Sequence, residues 1–261
     1  FSMMAGCLHQ NGILMAMYTV GLLLVTVLPT FYNLRQYTPV NPSESQLFTD
    51  SFFYAVTGII APVLLAAILF HYLHNRLSVD FYHSMPVSRN KLFLSRYFAG
   101  IVFLVVPITI CRLICIVMHC FAFRGFFSVG WIISHLLMDL LSWIILHLTV
   151  FTFSCMIAVT SSNAAESIIY SIAINGCLTG IVYIFFSLAN MLYGVELNLN
   201  FSFLSPYGMI ALYQSMSYAN QIPEFLLYRI SIWALLSVAA LFLTLRLYHR
   251  FHSEWAQQWG R

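Results

Sequence analysis

Six stretches of this chain run for about twenty residues or more with almost no charge, and nothing else in the sequence restricts the fold as strongly. They are Ile13 to Phe31, Phe52 to Leu73, Phe98 to Phe121, Ile132 to Val159, Ser167 to Ala189, and Phe225 to Tyr248. A helix needs about 20 apolar residues to cross roughly 30 Å of hydrocarbon, so each stretch suffices for one crossing. Lipid offers no partner to an unpaired backbone group, which leaves helices or closed barrels. The alternation of a barrel strand over about ten residues is absent. The expected fold class is therefore all-α, a polytopic membrane protein with about six transmembrane helices in one domain spanning 1–261. Pro62 and Pro107 fall inside these stretches, and each removes a helical hydrogen bond and favours a kink.

Composition rules out the soluble alternative. Charged residues are 7% of the chain and apolar residues 61%, whereas a soluble domain carries roughly 25% charge. So few charges cannot cover this much Leu, Ile, Val and Phe. The net charge of +3 is scattered, and no run of basic residues makes a stripe along a phosphate backbone, so nucleic acid is not an expected partner. No basic stretch leading into a short apolar run and a small-residue cleavage site opens the chain, so no signal peptide is expected. The six cysteines lie mostly within apolar runs and do not resemble a disulfide framework.

Basic residues in short connections set orientation. The connection from His74 to Tyr97 holds Arg76, Arg89, Lys91 and Arg96, and the tail holds Arg250 and Arg261 with Arg246 at its edge. The opposite face has Arg35 and Arg124, while the connection 190–224 has no Lys or Arg. This places both termini and the 74–97 connection in the cytoplasm of a cell-membrane protein. Within the outer connection, Leu204 to Ala219 is expected to form a short helix on or in the outer leaflet.

The 74–97 connection is more apolar than solubility requires, keeping Leu77, Val79, Phe81, Tyr82, Met85, Val87, Leu92 and Phe93. Ser84 to Pro86 breaks its pattern, and Ser88 suits the N-cap of a helix running through Lys91 into the third span. Two readings stand: a surface that docks another protein, or an interfacial helix resting on lipid headgroups. The run Asp80-Phe81-Tyr82-His83-Ser84-Met85-Pro86-Val87-Ser88-Arg89, with Lys91-Leu92-Phe93, resembles the Asp-Phe-Tyr-His-Ser-Leu-Pro-x-x-Arg signature of ABC type 2 permeases of Gram-positive bacteria. The tail Leu247-Tyr248 with Arg250, Ser253 and Glu254 is more loosely similar to that family's exit from its last span.

The resemblance implies the ABC type 2 exporter permease fold and a half-transporter. A second permease subunit, identical or a sister chain, would complete the pathway, and separate ABC ATPase subunits carrying ATP and Mg would drive it. The chain would bind no cofactor and catalyse no reaction itself. Its only lysine, Lys91, follows Asn90 and cannot belong to a Gly-Lys-Ser/Thr phosphate loop. Segment 77–93 would receive the ATPase stroke through Asp80, Phe81, Tyr82, His83, Met85, Pro86, Arg89 and Lys91. Phe81, Tyr82 and Met85 are the expected buried anchors, with Arg89 and Lys91 as rim charges. Permeases of this size in the family export amphipathic peptides or handle cell-envelope antibiotics, which makes an amphipathic or lipid-like substrate the expected cargo.

Arg112 and Asp139 lie inside the third and fourth spans. A charge at mid-bilayer costs roughly 2.5–3.5 kcal/mol on insertion scales, so each needs a partner or water. Arg112 is about twelve residues from Arg124 and Asp139 about eight from Trp131, so the two sit at similar depth and are expected to pair. The pair either fixes the register of two antiparallel helices or lines the substrate path. Cys111, Cys115 and His119 share one helical face, and His135, Asp139 and His147 share another, a pattern open to a metal or proton-relay reading but more simply explained by packing. No metal site is expected. A rival function is a proton- or ion-coupled secondary transporter using Arg112, Asp139 and the intramembrane histidines. Gly176 and Gly180 form a small-xxx-small pair suited to close helix packing.

Overall fold

The computed structural model describes residues 6, 12–36, 52–84, 87–123, 128–193, 204–210 and 224–250. They are helical almost throughout, with no strand among the described residues. The helices in chain order are α1 (Gly12–Leu22), which continues through a π-helical stretch (Leu23–Val27) into α2 (Leu28–Gln36), then α3 (Phe52–Leu69), α4 (Arg76–Ser84), α5 (Arg89–Ala122), α6 (Val129–Thr160), α7 (Ala164–Tyr193) and α8 (Glu224–Arg250).

Four segments are long and apolar enough to cross a bilayer: Gly12–Arg35, Arg89–Ala122, Ile132–Thr160 and Tyr228–Arg250. Ala164–Cys177 and Gly180–Tyr193 meet at a 48° bend and add a fifth if they form one span. The chain is a multi-pass membrane protein. The second apolar stretch departs from its expected bounds: α3 stops at Leu69, Phe70 leaves helical geometry, and His71–His74 form a 3₁₀ turn. Burial explains the stop, because the turn carries Tyr72 and Leu73 into the core beside Phe70 and Phe93 instead of along the helix axis.

α6 is the hub of the bundle, packed against α8, α3, α5 and α7. It is rich in hydroxyls as well as hydrocarbon, and its hydroxyls fold back on its own backbone. Thr149 donates to the Ile145 carbonyl at 2.8 Å, Thr152 to Leu148 at 2.7 Å, and Ser154 to Val150 at 2.8 Å. Such back-bonding satisfies a hydroxyl where water is absent. Trp143, Leu146, Val150 and Phe151 are fully buried around this axis. α7 behaves differently along its length. Its first half packs on α6, whereas Tyr183, Phe185, Met191 and Tyr193 beyond the bend are exposed, as suits side chains facing lipid.

Of the 204–219 segment only the start is described, and it holds a short helix at 206–210: Ser205 caps it by accepting the Gly208 N–H at 3.0 Å, and Met209 and Ile210 are buried against Trp143 and Ile230, while 211–219 lie outside the described residues. One expectation is corrected here. Gly176 and Gly180 do not form a paired packing face. A Cβ on Gly176 would meet the Tyr207 ring at 2.9 Å, while one on Gly180 would meet nothing within 4 Å.

Candidate docking face at the basic end of the bundle

The ends of α3 and α8, the start of α5, and all of α4 gather at one end of the bundle, the end that carries most of the basic residues. α4 begins there because Asn75 caps it, its side-chain oxygen accepting the Leu77 N–H at 3.1 Å. The helix is strongly two-faced. Val79 is fully buried and Tyr82 half-buried on the inner side, while Leu77 (80% exposed) and Phe81 (62% exposed), one turn apart, face outward with Asp80 and Ser84. Two large apolar residues on an exposed face beside a carboxylate form a small platform open to a partner.

An arginine holds the platform from beneath. The Arg96 guanidinium stacks over the rings of Tyr72 at 3.7 Å and Tyr82 at 4.4 Å, and Arg96 Nη1 donates to the Leu69 carbonyl at 2.8 Å. The latter carbonyl belongs to the last turn of α3, whose oxygens lack helical partners. Arg89 does the same for α8, donating to the His249 carbonyl at 3.1 Å. In both cases a cation lies at the negative end of a helix dipole. The Tyr72 and Tyr248 hydroxyls share a hydrogen bond at 2.8 Å. Phe93 stacks between Phe70 (5.1 Å), Tyr97 (5.9 Å) and Tyr248 (5.3 Å), and the Tyr97 hydroxyl bonds Thr152 of α6 at 2.7 Å. α4 is thus tied through aromatic contacts to the central helix.

The turn between α6 and α7 closes the same end. Asn163 caps α7 by accepting the Glu166 N–H at 2.8 Å, and the Ser162 hydroxyl donates to the Glu166 carboxylate. His74 is buried against the backbone of Ser161 and Ser162. Burial, reinforced by neighbouring His71, lowers its pKa from the ordinary 6.5.

No known family model matches the chain, and neither does any curated protein.

The expected coupling residues therefore part company. Asp80 and Phe81 are on the outer face and Lys91 is exposed. Tyr82, expected as an outward anchor, is turned inward because its ring closes the Arg96 stack. Arg89 is committed to the α8 terminus rather than standing as a bare rim charge. Ser88 occupies the N-cap position of α5 with extended backbone, yet its hydroxyl makes no capping bond. Met85, Pro86 and the His83 side chain lie outside the described residues. Leu77 was an expected apolar contact without a stated direction, and it is the most exposed residue of the platform. The Tyr72–Arg96–Tyr248 cluster was not foreseen; an arginine two turns into an apolar helix, opposite tyrosines at two helix ends, is the only sequence signal that hints at it.

Deeper in the bundle, Arg112 Nη1 of α5 lies 3.3 Å from Asp139 Oδ2 of α6, the carboxylate side chain being 1% exposed. His119 and His147 each place Nδ1 on the carbonyl one turn earlier, Cys115 at 2.7 Å and Trp143 at 2.8 Å. A carbonyl only accepts, so both rings carry the Nδ1 proton. The Cys115 thiol points to the Thr30 hydroxyl at 3.8 Å. Among the described residues, no three His, Cys, Asp or Glu side chains converge as metal ligands would. The His135 side chain lies outside them.

Proposed function

We propose that this chain is the membrane permease subunit of an ATP-driven exporter, with both termini and the α3–α5 connection in the cytoplasm. One observation carries the reading: α4 presents Leu77, Asp80 and Phe81 outward while Tyr82, Arg96, Tyr72 and Tyr248 lock its other face to the spanning helices. A helix resting on lipid needs no such lock, whereas a lever that passes force from a docked ATPase to the spans does. The resemblance of residues 80–93 to the ABC type 2 permease signature points the same way. In this reading the six apolar stretches are six spans, a second permease subunit completes the path, ATP and Mg reside on the partner, and the cargo is an amphipathic peptide, antibiotic or lipid-like molecule.

The test is a pull-down of the ATPase subunit on detergent-solubilised permease, with ATP turnover measured in liposomes. Leu77→Ala with Phe81→Ala is expected to release the ATPase while insertion is unchanged. Full binding and unchanged substrate-stimulated turnover in that variant sink the proposal.

A second reading, a proton- or ion-coupled secondary transporter, draws on the buried Arg112–Asp139 pair. It is favoured if transport follows an imposed proton gradient without ATP.

A further inference from the structure

Between α1 and α3, against the flank of α5, lies a groove of about 390 Å³. Met17, Gly21 and Val25 form one wall, Leu64 and Ile68 the other, and Phe103 closes the back. Apart from the hydroxyls of Tyr18 and Thr57, its side chains are hydrocarbon or thioether. A lining so poor in hydrogen-bonding groups cannot satisfy a peptide backbone or a polar ligand, but it can hold an aliphatic chain.

The groove's dimensions narrow the choice. It follows α1 from Leu14 into the π-helical stretch at Val25, eleven helical steps or about 16 Å, which is about half the hydrocarbon thickness of a bilayer. Leu14 and Ile68 mark its end nearest the basic face, and Val25 and Thr57 its deep end. Val25 belongs to the π-helical stretch, a wider turn that interrupts α-helical register at the end of the groove away from the basic face and that often marks functional positions. The groove is therefore one leaflet deep, and it opens sideways past Met17, which is 70% exposed.

A charge stands at its shallow end. Arg96, Gly100, Phe103 and Leu104 share one face of α5, so Arg96 lies about two turns from the groove toward the basic end. Arg96 is partly exposed and pairs with no carboxylate among the described residues.

We propose that this groove binds one acyl chain of an anionic phospholipid from the leaflet at the basic end, with the headgroup set against Arg96. The site does not depend on the exporter reading. It would join α1 and α3, two helices with few side chains between them, through lipid.

Purified protein in nanodiscs of phosphatidylcholine, doped with phosphatidylglycerol carrying a photoactivatable diazirine in its chain, tests the site by mass spectrometry of labelled peptides. Labelling at Met17 and Leu64 is expected to exceed by several-fold that at Leu243, an exposed position on α8. Gly21→Leu should fill the groove, since a Cβ there meets nothing within 4 Å. It should bring groove labelling down to the Leu243 level and leave Leu243 unchanged; Leu64→Trp is a second filler judged the same way. Groove labelling equal to Leu243, or unaltered in a filled variant that melts as the parent does, overturns the site. Equal labelling by the phosphatidylcholine analogue overturns the anionic headgroup, and a disulfide-linked dimer formed by Met17→Cys under a copper–phenanthroline oxidant assigns the groove to a second copy instead.

Discussion

Two arginines of α5 enter the bundle four turns apart, and the protein treats them in opposite ways. Arg112 is paired with a carboxylate, Asp139, deep among helices. Arg96, near the basic end, has tyrosine faces and one helix-end carbonyl for company and stays half-buried. The difference follows from access to water. At the shallow site the guanidinium keeps part of its hydration, and ring quadrupoles with a carbonyl dipole suffice. At the deep site only an opposite charge offsets desolvation, which makes the pair rigid and costly to break.

The largest effect should come from breaking the deep pair. Asp139→Ala leaves a buried guanidinium without its carboxylate and is expected to cost about 3–5 kcal/mol, read as lost monodisperse protein on size exclusion. Arg112→Leu with Asp139→Leu should recover much of the yield. If both single variants and the double lose yield additively, the two residues do not act as partners. Transport lost in a well-folded double variant would move the pair from packing to the substrate path.

Steric crowding at the shallow site ranks next. A Cβ on Gly100 would overlap the Phe151 ring and meet Leu69 at 2.9 Å, so Gly100→Ala is expected to destabilise by about 1–3 kcal/mol. Gly21→Ala, in open space, should be neutral or slightly stabilising by comparison. Equal melting temperatures for the two variants would mean that α3, α5 and α6 do not pack as closely as described.

Tyr248→Phe removes one half of the hydroxyl bond to Tyr72 and is expected to cost about 1 kcal/mol. Adding Tyr72→Phe should then cost little more, the same logic as the ion pair on a smaller scale. A large further loss would show that the Tyr72 hydroxyl serves something other than Tyr248.

The smallest effect concerns pH. The folded pKa of His74 is below its ordinary 6.5, so in the interval between the two values the unfolded chain binds more protons. Its stabilising contribution is therefore full above pH 6.5 and declines as pH falls toward the folded value. The melting temperature of the parent should drop between pH 7.5 and pH 5.5 by more than that of His74→Gln. Identical drops would place the acid sensitivity elsewhere.

Much of this was legible along the chain because burial in lipid writes itself into composition. Each of the six apolar stretches falls on a helix, and depth counting from the turns placed Arg112 beside Asp139. The end of α3 was not legible: Phe70 to Leu73 are as apolar as the helix before them, and only the packing of Tyr72 and Leu73 on Phe93 and Tyr248 turns the chain there. Nor was the direction of Tyr82. A nine-residue amphipathic helix offers aromatics to both sides, and the side facing the protein is fixed by Arg96, fourteen residues further on.

The sequence by itself determined that the protein is helical and multi-pass, since so little charge leaves no soluble alternative and lipid permits no open backbone. Tertiary structure alone decided which polar and aromatic groups meet: the tie from Tyr72 to Tyr248 across 176 residues, the capping of α3 and α8 by arginines of α5, and the lipid-depth groove beside Gly21. Apolar burial is summed residue by residue and survives in a linear string. Hydrogen bonds, cation–π contacts and cavities depend on distances of a few ångströms between helices, which no string records.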